Sequence, residues 1–101
     1  MFTNMISDLE RAALAKGDHR DVTQAVKQAL APWLLSPLPD SHRTPGATCY
    51  SRHLIHCDPK GRWCAVAIVL APGQSTPIHN HTTWGVIGVV SGLEREIRYR
   101  L

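Results

Sequence analysis

Apolar residues recur at two different periods along this chain, and the change comes near its middle. Between Asn4 and Lys16, the residues Met5, Ile6, Leu9, Ala12, Ala13 and Leu14 return every three or four positions. That spacing lays them on one face of a helix. Gly17 stops it, and Asp18 or Asp21 caps a second helix through Val22, Ala25, Val26, Ala29 and Leu30. Pro32 breaks the helix before Trp33-Leu34-Leu35, because proline lacks a donor and clashes with the preceding turn. Three prolines between Ser36 and Gly46 mark an irregular connector.

From Thr48 the period becomes two. Tyr50 to His56 alternates, with Tyr50, Arg52 and Leu54 on one face, which we take to be inward. Asp58-Pro59-Lys60-Gly61 reads as a turn. Trp63 to Leu70 is a second strand, apolar at nearly every position and so expected to be covered on both faces. Pro72-Gly73 turns the chain, Pro77 to Thr83 reads as a strand, and Gly85 to Ser91 as another. Gly92 turns again before a last alternating strand, Glu94 to Leu101. Short strands at this spacing predict a mainly β fold with N-terminal helices, an antiparallel barrel or jelly roll. At 101 residues the chain is a single domain, with residues 1–35 helical and 48–101 forming the barrel part.

Composition narrows the function classes. A hydrophobic content of 44% with 19% charged residues fits a globular chain rather than a disordered one. The net charge of +3 comes from scattered basic residues, and Arg95, Arg98 and Arg100 read as a solvated strand face. Neither nucleic acid nor a membrane surface is implied. The opening residues lack a charged and then apolar leader pattern, and the longest apolar run is too short to span a bilayer. A cytoplasmic location is expected. Cys49, Cys57 and Cys64 are odd in number and contain no CxxC pair, so they read as isolated thiols rather than a disulfide framework or a zinc knuckle.

Two features stand out for chemistry. His79 and His81 sit one residue apart, and in a strand such residues share a face. Two imidazoles aimed at one point are what a metal ion needs. Arg52 is the second feature: on an inward face it must find an anion, and guanidinium grips a carboxylate with two bonds.

The glycines around the histidines carry a resemblance. Gly73, five residues, His79-x-His81, three residues, Gly85, six residues and Gly92 resemble the first conserved motif of the cupin superfamily. The glutamate of that motif is replaced by Gly85, which removes one metal ligand. A cupin branch without this glutamate is the thiol dioxygenases, similar to cysteine dioxygenase, which hold iron with three histidines. The string Pro72-Gly-Gln-Ser-Thr-Pro-Ile-His-Asn-His-Thr-Thr-Trp-Gly85 looks like the bacterial members. Tyr50-Ser51-Arg52 matches the family's Tyr-x-Arg, whose arginine grips the substrate carboxylate.

The resemblance implies a cupin-type double-stranded β-helix, with Fe(II) held by His79 and His81. It also implies oxidation of cysteine by O2 to cysteine sulfinic acid. Arg52 binds the substrate and favours cysteine over 3-mercaptopropionate, and Tyr50 orients the carboxylate or lines the pocket. With Gly85 and Val86 in the corresponding region, no cysteine–tyrosine crosslink is expected. The family's third iron histidine lies on a strand that would follow Leu101. The implied barrel is therefore C-terminally truncated, incomplete, and set for self-association through open sheet edges. His19, His42, His53 and His56 are poor substitutes for the missing ligand. The alternatives to an active or inactive dioxygenase are a non-catalytic small cupin binding a metal or small acid, and another cupin enzyme.

Overall fold

The computed structural model describes residues 2–79, 81 and 83–99. Helix α1 spans Thr3–Ala13 and helix α2 spans His19–Leu30. Two short 3-10 turns follow, Ala31–Leu35 and Asp40–His42. Strands β1, Ser51–Cys57, and β2, Cys64–Val69, complete the regular structure among the described residues.

Both helices form where the apolar period placed them, with ends set by local chemistry. Gly17 adopts φ +137°, and a Cβ there would come within 2.7 Å of the Asp21 side chain. Glycine thus lets the chain turn close enough for a reciprocal cap. Asp18 Oδ1 accepts the Asp21 amide at 2.9 Å, and Asp21 Oδ2 accepts the Asp18 amide at 3.3 Å. Two otherwise orphaned donors at the start of α2 are satisfied this way. At the other end, Pro32 falls in the first 3-10 turn, as its missing donor requires. Trp33 ties that turn back to α1 by donating Nε1–H to Asp8 Oδ2 at 3.2 Å.

The helices pair through Met5, Leu9, Val22 and Val26, and Trp63 closes the same cluster from the hairpin. Ile55, Ala65, Trp84 and Val86 pack around it. The core is shallow: among the described residues, no large side chain falls below 2% exposure.

β1 and β2 pair antiparallel, with Arg52 opposite Ile68, Leu54 opposite Val66, His56 opposite Ala65 and Cys57 opposite Cys64. The register slips between Leu54 and His56, so Ile55 is the extra residue of a β-bulge. The predicted turn joins the strands: Gly61 donates to the Asp58 carbonyl at 2.8 Å, and Asp58 donates to the Trp63 carbonyl at 3.0 Å.

The barrel expectation fails here. The described residues form a small α+β structure of two helices and a two-stranded antiparallel sheet, neither mainly β nor a jelly roll. From 84 to 90 the period of two survives in the burial: Trp84, Val86, Gly88 and Val90 are part-buried, whereas Gly85, Ile87 and Val89 are exposed. Yet this segment joins no ladder. It lies on the helical layer instead, close enough that a Cβ on Gly88 would come within 2.7 Å of Leu34 and 3.2 Å of Leu30. Residues 93–99 are exposed and unpaired by any described strand, and the last two residues of the expected final strand lie outside the described residues. Likewise Pro77 to Thr83 forms no strand where it is described. Nor is β2 covered on both faces, since Cys64 and Ile68 are exposed.

Candidate functional site

The His79–His81 pair sits in the loop between β2 and Trp84, not on a strand. Backbone bonds at the Pro72-Gly73 turn begin this loop, with Gln74 N–H donating to the Ala71 carbonyl at 2.9 Å. Gln74 then pins it, accepting the Ala71 amide on Oε1 at 2.8 Å and donating Nε2–H to the Gly46 carbonyl at 3.3 Å. Beyond Gln74 both histidines stand exposed.

His79 Nδ1 lies 2.7 Å from the Pro77 carbonyl oxygen. A carbonyl only accepts, so Nδ1 carries a proton, and in the neutral imidazole the lone pair then sits on Nε2. A backbone-oriented histidine of this kind is how proteins commonly present a nitrogen to a metal. The His79 and His81 rings lie 5.0 Å apart between centroids, inclined at 75°. The two rings are therefore neighbours in a loop, not side chains sharing a strand face as the spacing suggested.

The pair supplies two imidazoles, a donor type that divalent metals accept. It does not assemble a three-histidine iron centre, because no group of three His, Cys, Asp or Glu side chains is placed to hold a metal among the described residues. His42 and His53, the nearest thing to a second histidine cluster, are occupied with structure. His42 donates Nε2–H to the Leu54 carbonyl at 3.1 Å and accepts from Ser41 Oγ at 2.8 Å. His53 Nε2 meets the Thr44 carbonyl at 2.9 Å and Ser51 Oγ at 3.0 Å. These bonds tie the connector to β1.

Arg52 is exposed on β1, opposite Ile68 and beside Leu54. The inward assignment of that face is thus corrected: Ser51, His53, Ile55 and His56 are the part-buried side. The reason lies in the packing. The helices cover the face that carries Trp63 and His56, whose rings lie 5.2 Å apart, leaving Arg52 and Leu54 on the other side. No carboxylate pairs with Arg52 among the described residues. Tyr50 is half-buried just before β1.

Sequence reasoning missed one juxtaposition. Cys57 and Cys64 stand directly opposite each other at the turn end of the hairpin, both exposed. The signal was present in the predicted turn, whose length sets which residues of the flanking strands face each other.

No family model matches the chain, and no solved structure gives a significant match. No helix among the described residues is long and apolar enough to cross a membrane.

Proposed function

We propose that this chain serves the iron-dependent oxidation of a small thiol in the cytoplasm, taking cysteine and O2 to cysteine sulfinic acid. The reading is supported above all by the His79–His81 pair, with Nδ1 of His79 tied to the Pro77 carbonyl. It rests on these residues and not on the fold, which hosts no fixed chemistry of its own.

His79 and His81 are this chain's ligands to Fe(II), which supplies the oxygen chemistry when bound. Arg52 offers an unpaired guanidinium to the substrate carboxylate, and its two parallel N–H groups fix that end of the molecule. Tyr50, two residues before it, lends a hydroxyl to the same carboxylate. A longer thiol acid such as 3-mercaptopropionate is the competing substrate.

The two-donor count among the described residues favours a second reading, a non-catalytic module that binds a divalent metal or a small acid. The two readings separate in one experiment. Fe(II) is added anaerobically to the intact chain, and O2 uptake is then followed with cysteine and with 3-mercaptopropionate. Thiol-dependent uptake that vanishes in His79→Ala supports the dioxygenase. Metal binding lost in His79→Ala, with no uptake, supports the binding module. Metal binding unchanged in the His79→Ala/His81→Ala double variant refutes both.

A further inference from the structure

Three places on the molecule present chemistry that the proposed function does not use: the His42–His53 cluster, the unpartnered indole of Trp63, and the cysteines of the hairpin. The first two are committed to packing. His42 and His53 bond to backbone carbonyls, and Trp63 is 8% exposed within the core. The cysteines are neither buried nor bonded.

Cys57 and Cys64 are register partners. The next pair toward the turn, Asp58 and Trp63, is joined by the Asp58 amide donating to the Trp63 carbonyl at 3.0 Å. Opposed pairs in an antiparallel ladder alternate between hydrogen-bonded and non-hydrogen-bonded types. Cys57 and Cys64 therefore form a non-hydrogen-bonded pair, the type in which Cα atoms are about 4.5 Å apart and side chains are closest. That spacing lies at the short end of the roughly 4.4–6.8 Å window that a disulfide spans.

The bulge at Ile55 supplies the other requirement. Under strict alternation, Cys57 would share the covered face of Ser51, His53 and Ile55. With the bulge, Cys57 joins Arg52 and Leu54 on the exposed side, where Cys64 and Ile68 also lie. Both sulfurs are then open to a small reagent from the same direction. Cys49, also exposed, precedes β1 and has no partner in the ladder.

We propose that Cys57 and Cys64 form a reversible cross-strand dithiol–disulfide site whose oxidant is a small-molecule disulfide of the glutathione type. The thiolate of one cysteine attacks the small disulfide, breaking its S–S bond and releasing one small thiolate. The second cysteine then attacks the protein sulfur of that mixed disulfide and releases the other. The two protons leave the cysteines for the two departing thiolates. The protein loses two electrons and the small disulfide gains them. Exposed disulfides at the short limit of Cα spacing are the readily reduced kind, so excess small thiol runs the exchange backwards.

The test uses the folded full chain, equilibrated with glutathione disulfide, blocked with an alkylating reagent and digested with trypsin. The expected product is a disulfide joining the peptide His53–Lys60 to the peptide Trp63–Arg95. The peptide Thr44–Arg52, which carries Cys49, should be linked to neither. In Cys57→Ser, the glutathione adduct on Cys64 should rise at least tenfold over the unsubstituted chain, because the thiol that displaces it is gone. The helical circular dichroism of that variant should be unchanged, as expected for an exposed position. Three results would overturn the proposal: both cysteines remaining alkylated, a link from either one to Cys49, or equal adduct levels in the two proteins.

Discussion

Arg62 holds both carboxylate oxygens of Asp58, with Nε 2.7 Å from Oδ2 and Nη2 3.2 Å from Oδ1. Oδ2 also accepts the Arg62 amide at 3.0 Å. Asp58 is 3% exposed, so its charge is taken from water and given to this fork, closing the hairpin turn from inside.

The pair sets the acid limit of the fold. The bonds from Arg62 hold the Asp58 carboxyl down at about 2, against its usual 3.8. A carboxyl whose pKa is lower in the folded than in the unfolded chain stabilises the fold above its unfolded value. That contribution disappears as pH falls from about 4 through about 2. Trp63 fluorescence during acid titration should report loss of the turn in this window, and in Arg62→Ala the transition should move to higher pH. An identical acid midpoint in the variant would show that the fork does not hold the turn.

Leu9 is 4% exposed at the centre of the helix–hairpin cluster. Truncation there removes apolar contact and leaves a cavity, so Leu9→Ala should cost about 2–5 kcal/mol. That is a large part of the roughly 5–15 kcal/mol total of a small domain. Leu35, 88% exposed, serves as the control, with Leu35→Ala within about 0.5 kcal/mol of the parent. Urea unfolding of the two variants decides it.

Gly46 is required by a close approach rather than by its dihedral. A Cβ there would overlap the carbonyl oxygen of Cys49, which is backbone and has little room to yield. Gly46→Ala should destabilise by about 1–3 kcal/mol. It should also weaken the Gln74 bond to the Gly46 carbonyl that pins the start of the histidine loop. Proteolysis within residues 75–83 should accelerate in this variant, and an unchanged cleavage rate would separate the loop from Gly46.

The exposed face of the hairpin shows Leu54 at 60% and Ile68 at 51%. Apolar side chains beside unpaired strand edges favour association. Sedimentation should show mass rising with concentration. Leu54→Lys with Ile68→Lys should reduce that rise. A concentration-independent monomer mass in the unsubstituted chain would remove self-association from the picture.

How much of this was legible in the sequence depended on whether the cause was local. The helices were, because Leu9, Val22 and Val26 signal their face at short range and Asp18 marks an end. Their limits were less so: α1 ends at Ala13, short of Lys16. The hairpin was legible because its turn chemistry sits between two alternating runs. The segment from 85 to 99 was not, because alternation says which side chains share a face and nothing about which backbone supplies the hydrogen bonds. For Val86 and Gly88 the partner is the helical layer. His79 and His81 were expected on a strand, but a loop carries them, with the Pro77 carbonyl bonded to His79. Arg52 was turned the wrong way because the cover on β1 comes from α1, α2 and Trp63, contacts between residues far apart in the chain.

The extra residue at Ile55 is a spare position in the pairing. Remove it and Leu54 still faces Val66 while His56 faces Ala65, now in an unbroken ladder. Ser51, His53 and His56 keep the covered side, and Cys57 still meets Cys64 on the open one. What goes is the Ile55 side chain packed against the core cluster. Loss of this one codon therefore costs packing and spares the pairing, so a lineage can shorten β1 here by one residue and keep the hairpin.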